Sequence, residues 1–431
     1  MTSSHSYRRL IIDREIGPLL FAANFGRLSG GIVPFGLVAF YSDRQEYIHA
    51  GVASAVLMVV SSLTAPYKGR LITRYSPRAT IVPMSLVFAL LLGTGVTLNA
   101  SGASFVVAMA GIVSGAAVAP PTLAVVRAIW TNVAETPATN RALHALDSTT
   151  EELTFAISPL ITSVLWATGG VFWSIPVGLC AGVLGNIAIV VLASRREASS
   201  HALMTRPLSG PPASNELFES VSVTSKRSIY FQPAAVGLLL PMVGLGIAMG
   251  GGLSLILPAW SGQNLGAEAI SGVLLSVVSF AGFLAGIAFG KLPGGRVAAR
   301  LQYQGAVALV AVGVLLFMVS EGIVLAVLGA SCVGVGMTPM FIASYMMVGD
   351  YFADTSHTEI NAALGSSFNI GSGIATTVCG FALVVLGTNN VLLALTICTI
   401  ALAATSVLLP RVTSAQTSLK GVTADAGKID S

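Results

Sequence analysis

Long apolar runs dominate this sequence and decide what it can fold into. The hydrocarbon core of a bilayer is crossed by about 20 helical residues, and twelve runs close to that length can be marked. Charged residues make up only 9% of the 431 residues, whereas a soluble domain carries about 25%. The sequence therefore predicts an all-α membrane protein with twelve transmembrane helices. The predicted spans are 17–41, 48–67, 79–99, 103–127, 143–167, 171–194, 232–260, 268–290, 302–320, 322–348, 360–386 and 390–410.

Two polar segments divide the chain into parts. Residues 195–231 are rich in Pro, Ser and charge and cannot cross a bilayer, so they separate six spans from six. Residues 412–431 are also polar, which is typical of disorder. The predicted organisation is an N-terminal six-helix bundle over 1–194, a cytoplasmic loop over 195–231 and a C-terminal six-helix bundle over 232–411, followed by the disordered tail.

The positions of Lys and Arg predict the orientation. Arg27 lies inside the first span and Arg44 in the first connection. All other Lys and Arg residues lie at the N-terminus, in alternate connections, in the central loop or in the tail. Because cytoplasmic loops carry the excess of Lys and Arg, both termini are predicted to be cytoplasmic, in a multi-pass protein of the inner (plasma) membrane.

The two halves of the chain repeat each other weakly. The stretch "HALDSTTEE" at 144–152 aligns with "AALGSSFNI" at 362–370, and "GRL" at 69–71 aligns with "GKL" at 290–292 at nearly the same offset. Parallel repeats of this kind place a substrate site near the bilayer midplane, between the halves. The repeat therefore predicts two pseudo-symmetric bundles with a site between them.

The twelve spans, the central loop and the basic loop after the second span resemble the major facilitator superfamily. That loop reads "GRLITRYSPR" at 69–78, and the family pattern is Gly-x-Leu-Ala-Asp-Arg-x-Gly-Arg-Arg. Thr73 replaces the Asp from which the family builds a conformational latch, and Ser76 replaces a Gly. The resemblance implies a monomeric secondary transporter that works by alternating access on a small-molecule substrate. The matching residues are Gly69, Leu71, Arg74 and Arg78.

Cytoplasmic gating is the role that the resemblance implies for this loop and for the basic residues around the fifth span. For the loop arginines, the alternative is that they only supply the positive charge of a cytoplasmic loop. The predicted gating residues are Gly69, Arg70, Arg74, Arg78, Arg127 and Arg141.

A second, narrower resemblance covers the fourth and fifth spans. The stretches "PPTLAVVRAIW" at 120–130 and "ALDSTTEELTFAISP" at 145–159 are similar to an actinobacterial subgroup of the superfamily. That subgroup pairs an Arg at the end of the fourth helix with acids in the fifth. Drug antiporters carry Gly-Pro and further glycines in the fifth helix, where this chain has Ser158 and Pro159. This difference weakens the interpretation as a multidrug antiporter without excluding it. The substrates of the actinobacterial subgroup are mostly unassigned, so the likeness implies fold and mechanism more than cargo.

Three acids lie inside the fifth predicted span. If Arg141 marks its cytoplasmic start, Glu151 and Glu152 lie about 15 Å deeper, near the bilayer centre. A charge there costs about 2.5–3.5 kcal/mol, so these side chains must face protein or water. Helical spacing places His144, Asp147 and Glu151 on one face and Glu152 on the adjacent face.

Arg27 lies at a depth comparable to that of the two glutamates. It can neutralise one glutamate, or it can bind an anionic group of the cargo. One cation cannot neutralise both acids, and two neighbouring carboxylates away from water disfavour the doubly charged state. We therefore predict that Glu151 or Glu152 is the proton-coupling group and that the other glutamate pairs with Arg27.

Two further residues of the fifth span have open roles. Asp147 either takes part in coupling or substrate binding, or is held structurally near the inner surface by Arg127 or Arg141. His144 either titrates with the acids or is simply solvated near the helix end.

The eleventh span carries neutral polar residues. They are predicted to line the cavity and to hydrogen-bond the cargo, with ordinary helix packing as the alternative. These residues include Asn361, Ser366 and Asn369.

No catalytic, phosphate-loop or metal-ligand motif is found in the sequence, so no enzyme activity, cofactor, metal or nucleic-acid partner is expected. Uphill transport would then use an ion gradient. The predicted function is proton-coupled antiport that exports a small organic or amphipathic molecule. The alternatives are proton symport of a nutrient or organic anion, transport of a lipid or lysolipid, and a membrane-embedded lipid-modifying enzyme. Lipid cargo would require lateral openings lined by apolar residues.

Overall fold

The chain forms helices connected by short loops. In the computed structural model, no strand occurs among the described residues. Most of the predicted central loop and the whole predicted tail lie outside them. The structure describes residues 10–75, 77–133, 137–197, 230–289, 296–352 and 357–410.

The first half contributes α1 to α7. The predicted span 103–127 forms two helices rather than one, because Pro120 and Pro121 lack the N–H groups that would continue a helix. The helices are α1 Ile16–Ser42, α2 Tyr47–Tyr75, α3 Pro77–Ala100, α4 Phe105–Val118, α5 Thr122–Val133, α6 Pro137–Thr168 and α7 Ser174–Glu197.

The second half contributes α8 to α13. A π-helical stretch, Ile247–Leu253, separates α8 from α9 at the glycine cluster of the seventh predicted span. The last two predicted spans lie in one long element that breaks at Gly387, whose φ of 75° is readily adopted only by glycine. The helices are α8 Pro233–Gly246, α9 Ser254–Leu265, α10 Ile270–Phe289, α11 Arg296–Met318, α12 Ile323–Tyr351 and α13 His357–Ala404.

Each predicted span overlaps at least one of these helices. Among the described residues, 9 helical stretches are long and apolar enough to cross a membrane by length and composition. Close packing relies on small residues, as is common between membrane helices. For example, a Cβ built on Gly26 of α1 would lie 3.4 Å from Gly185 Cα of α7.

The two bundles meet at the end of the molecule that carries the α1–α2 and α9–α10 connections. Gln45 Nε2 donates a hydrogen bond to Glu268 Oε1 at 2.9 Å, and Ser163 Oγ donates one to the Ala269 carbonyl at 2.6 Å. α6 also packs so tightly against α10 that a Cβ on Gly272 would clash with the Ser163 side chain. We call this region the closed end.

Candidate functional site

A buried ion pair joins α1 to α6. Arg27 Nη2 donates to Asp147 Oδ2 at 2.9 Å, and Nη1 lies 2.8 Å from Oδ1. Trp130 Nε1 of α5 donates to the same Oδ1 at 2.9 Å. Asp147 is 1% exposed and Arg27 is 8% exposed. The prediction that Arg27 pairs with a glutamate is therefore wrong, because Asp147, one helical turn away from Glu151, takes that position.

A polar seam continues this pair along the α1–α6 interface. Asn24 Nδ2 donates to Thr150 Oγ1 at 3.0 Å, and Thr154 Oγ1 donates to Asn24 Oδ1 at 3.2 Å. Asn24 and Trp130 were not among the predicted site residues. Two signals could have found them: Asn24 precedes Arg27 by three residues and so shares its helix face, and a buried Trp N–H usually needs an acceptor.

A cavity of about 380 Å³, which we call the N-terminal cavity, lies inside the first bundle. Arg27 and Glu151 line it, together with the break between α4 and α5. Asn186 closes one wall, because its Nδ2 donates to Ser85 Oγ at 2.8 Å and its Oδ1 accepts from Thr122 Oγ1 at 3.0 Å. The cavity thus contains both a cation and a carboxylate.

Lys68 is buried next to this cavity, with 2% of its surface exposed. Its Nζ donates to the Ser61 carbonyl at 3.1 Å and to the Ala116 carbonyl at 3.4 Å. Ala116 lies in the last turn of α4, where the negative end of the helix dipole attracts a cation, and its carbonyl also accepts the Ala119 N–H at 3.3 Å. Lys68 directly precedes the basic loop at 69–78 and was not among the predicted site residues.

A second cavity of about 370 Å³, the central cavity, lies between the two bundles. Glu152, halfway along α6, is the only charged residue in its described lining. No hydrogen bond or ion pair joins the Glu152 carboxylate to another described residue. Glu151 and Glu152 therefore face different cavities, as their helical spacing predicted. The aromatic residues of the central cavity are Phe35, Phe155, Phe341 and Phe368.

A third cavity of about 560 Å³, the lateral groove, separates α2 from α13. Met58 lines all three cavities, so they adjoin one another. Asn369 lines the lateral groove, whereas Ser366 is exposed and lines none of the three. The side chain of Asn361 lies outside the described part of the structure.

The predicted gating arginines lie far from the closed end. α2 begins at the closed end, and its 29 residues carry the chain about 40 Å away. Arg70, Arg74 and Arg78 are exposed there, while Gly69 is buried. The guanidinium of Arg74 lies 5.3 Å from the centre of the Tyr75 ring. The side chains of Arg127, Arg141 and His144 are not among those described, so gating stays a prediction.

The sequence pattern that defines the Major Facilitator Superfamily matches residues 19–376. The chain belongs to this superfamily. It is therefore a multi-pass secondary transporter of small molecules and not an enzyme, and the predicted fold of two six-helix bundles is confirmed. No curated protein matches the sequence.

Solved superfamily transporters share this fold at low sequence identity. A crystal structure of the nucleoside transporter NupG has a TM-score of 0.70 and 12% identity, and the match covers 92% of this chain and 99% of that one. The human organic anion transporter MFSD10 (TETRAN) has a TM-score of 0.59 and 14% identity, with 94% and 99% covered. These likenesses show the fold alone.

The closed end of this superfamily member contains an acidic contact. Burial raises the pKa of the Glu268 carboxyl, and the negative charge of Asp43 raises it further, while the hydrogen bond from Gln45 partly opposes both effects. Trp166 Nε1 donates to Asp43 Oδ1 at 2.7 Å and holds that carboxylate in place. The pKa of Glu268 therefore depends in part on Asp43, which belongs to the other bundle.

Proposed function

We propose that the protein is a proton-coupled antiporter that exports a small organic or amphipathic molecule by alternating access. One observation carries the proposal: the carboxylate of Glu152 lines the cavity between the bundles without a counter-ion among the described residues. A coupling group must be able to hold either a proton or cargo and to meet each side of the membrane in turn. A carboxylate between two moving bundles meets both requirements.

The other acids of α6 suit this role less well. The carboxylate of Asp147 already pairs with Arg27 and accepts the Trp130 N–H, so it has a structural role. Glu151 shares the N-terminal cavity with Arg27, and that cavity lies within one bundle. We therefore assign coupling to Glu152 and structural pairing to Asp147.

We propose that both termini are cytoplasmic and that the closed end faces the outside, on the basis of the Lys and Arg distribution. The protein would act as a monomer, with Gly69, Arg70, Arg74, Arg78, Arg127 and Arg141 gating the cytoplasmic face. The two structural relatives are named for different cargoes, a nucleoside and organic anions. Their likeness therefore does not select a cargo.

Replacing Gly272 with Ala is expected to open the closed end. The added methyl group would clash with Ser163 across the interface, so the equilibrium should shift towards separated bundles. Spin labels at Ser101 and Gln263, one on each bundle, should report a longer distance in this variant. Gly305→Ala is the matched control, since nothing lies within 4 Å of a Cβ there. An unchanged distance in Gly272→Ala would argue against movement at this interface.

Acidic pH is expected to stabilise the closed end. Closure raises the pKa of Glu268, and separation of the bundles should return it towards the ordinary value. Protonation favours the state in which Glu268 has the higher pKa, which is the closed state. The closed population should therefore rise as the pH falls through the closed-state pKa. It should stop rising below the open-state pKa, where Glu268 is protonated in both states. The distance between the same two labels should shorten over that range.

Glu268→Gln should remove this pH dependence and still accept the hydrogen bond from Gln45 through its amide oxygen. A pH response of equal size in Glu268→Gln would contradict the assignment to Glu268.

The proposed function is tested with purified protein in liposomes. A pH gradient is imposed while potassium and valinomycin clamp the membrane potential, and uptake of labelled cationic, anionic and neutral probes is compared with that of protein-free liposomes. Protein-dependent accumulation of any probe that collapses with the pH gradient supports proton coupling. If every transported probe only equilibrates, regardless of the gradient, proton-coupled antiport is wrong.

A further inference from the structure

We propose that the cargo is an amphipathic organic cation, which reaches the central cavity from the bilayer through the lateral groove and places its positive charge at Glu152. This inference rests on the proposed function, because it assigns the cargo of the same carboxylate. It adds a chemical class and a route that membership of the superfamily does not supply.

The central cavity selects for charge and for apolar surface together. Glu152 is its single charged group in the described lining, and most of the remaining lining is apolar or aromatic. A small cation such as Ca²⁺ or Mg²⁺ binds through several oxygen ligands, with carboxylates prominent among them, whereas this lining offers a single carboxylate and four hydroxyl groups, those of Ser54, Ser254, Ser279 and Thr376. The rings of Phe341 and Phe368 meet edge to face with their centres 5.4 Å apart, and aromatic faces attract organic cations. A lipophilic cation satisfies both features.

The same carboxylate explains exchange for a proton. A cation at Glu152 neutralises the carboxylate, and so does a proton. The two ligands therefore compete for one group, so that binding of one releases the other. An anionic cargo would instead be repelled whenever Glu152 is ionised.

The lateral groove provides a route from lipid. α2 and α13 nearly touch towards the closed end, where a Cβ on Gly51 would lie 3.3 Å from Gly380 Cα, and the groove lies between them farther along. Leu63 and Ile370 on its walls are 71% and 57% exposed, and no charged residue lines it among the described residues. A groove with such exposed apolar walls would admit an amphipathic cation from the bilayer, as it would the lipid cargo considered above, and through Met58 it adjoins the central cavity.

The charge of the cargo is tested with two ions of the same shape. Tetraphenylphosphonium and tetraphenylborate differ in the sign of their charge, so binding of each to the full chain in lipid nanodiscs, corrected for empty nanodiscs, isolates the electrostatic preference. We expect specific binding of the cation at pH 8 and little of the anion. Glu152→Gln should weaken cation binding about tenfold, because it removes the attraction between the carboxylate and the cation.

Glu321→Gln is the matched control, because Glu321 is an exposed glutamate in the α11–α12 connection and its loss should leave binding unchanged. Preference for tetraphenylborate, absence of cation binding, or equal cation binding in Glu152→Gln and the parent would each overturn the proposal.

The route is tested by protection of a cysteine in the groove. In a background whose native cysteines are replaced by alanine, Gly373→Cys places a thiol on the groove wall, where nothing lies within 4 Å of a Cβ. Decyltriphenylphosphonium should slow its reaction with a membrane-soluble maleimide several-fold, whereas methyltriphenylphosphonium should not, because only the decyl chain reaches back into the groove. Val384→Cys is the control, because Val384 is exposed on the same helix but lies outside the groove. Its reaction with the maleimide should proceed at the same rate in the presence of either cation. Equal protection at both positions, or protection at neither, would contradict the route.

Failure of this inference can be told apart from failure of the proposed function. If a neutral or anionic probe is driven by the pH gradient and Glu152→Gln abolishes that transport, proton coupling through Glu152 is supported and the proposed cationic cargo is wrong. If the phosphonium cations bind at Glu152 but are not driven by the pH gradient, the proposed class of cargo is supported and proton-coupled antiport is wrong.

Discussion

Arg27→Gln is expected to destabilise the folded protein by about 3–5 kcal/mol, because removing one partner of a buried ion pair leaves the other charge uncompensated. Among the described residues, Asp147, which is 1% exposed, would keep only the side-chain hydrogen bond from Trp130. The loss should appear as a lower apparent melting temperature of the purified protein in nanodiscs.

A double-mutant cycle separates the pair from its surroundings. Asp147→Asn keeps an oxygen that can accept the Trp130 N–H but strands the guanidinium of Arg27. The double variant Arg27→Gln with Asp147→Asn removes both charges, so it should be less destabilised than the sum of the single variants, by about 0.5–3 kcal/mol. A strictly additive result would mean that the two side chains do not stabilise the fold as a pair.

Arg44→Gln is the control for loss of a positive charge from the first bundle. Arg44 is exposed and its guanidinium lies 4.2 Å from the centre of the Phe40 ring, an arrangement worth about 0.5–1 kcal/mol at an exposed site. A small change here beside a large change in Arg27→Gln would locate the effect in the buried pair. Equal and small changes would instead favour a role for Arg27 in binding an anionic group of the cargo.

The spans were predictable from the sequence because each one needs only apolar length. The break before α5 follows from the paired prolines at 120–121, although length alone predicted one continuous span. The bend at Gly387 likewise depends on a single backbone angle. Helix breaks of this kind are determined by one or two residues, whereas hydropathy is averaged over a whole span and does not detect them.

The partner of Arg27 could not be predicted in the same way. Asp147, Glu151 and Glu152 all lie within about two turns of one helix, so depth in the bilayer does not distinguish them. The choice depends on how α1 and α6 are rotated against each other, and on Trp130, which arrives from a third helix. Spacing correctly separated the faces of Glu151 and Glu152, because both lie on the same helix and their relative angle is set by its period.

The contact at the closed end could not be predicted from the sequence either. Gln45 and Glu268 are far apart in sequence and belong to two separate loops. No periodicity links loop residues of different bundles, and neither residue has an unusual sequence context. Only the packed arrangement of the bundles brings them within hydrogen-bond distance.

Glu152→Gln is expected to abolish transport driven by the pH gradient while leaving the protein folded. Glutamine has nearly the same volume and mimics the protonated carboxyl, and no described partner of Glu152 would lose a contact. Its melting temperature should therefore stay near that of the parent, unlike that of Arg27→Gln. Accumulation of cargo in liposomes should fall to the level set by equilibration, because the variant cannot release a proton when cargo binds.

Two companion variants decide whether this effect belongs to Glu152 itself. Glu152→Asp keeps the charge on a side chain one methylene shorter, so it should retain coupling at a reduced rate. Glu151→Gln changes the adjacent acid, which lines the N-terminal cavity, and should still accumulate cargo against its gradient. If Glu151→Gln is uncoupled and Glu152→Gln is not, the proton-coupling site lies inside the first bundle. The cavity between the bundles would then bind cargo without carrying the proton.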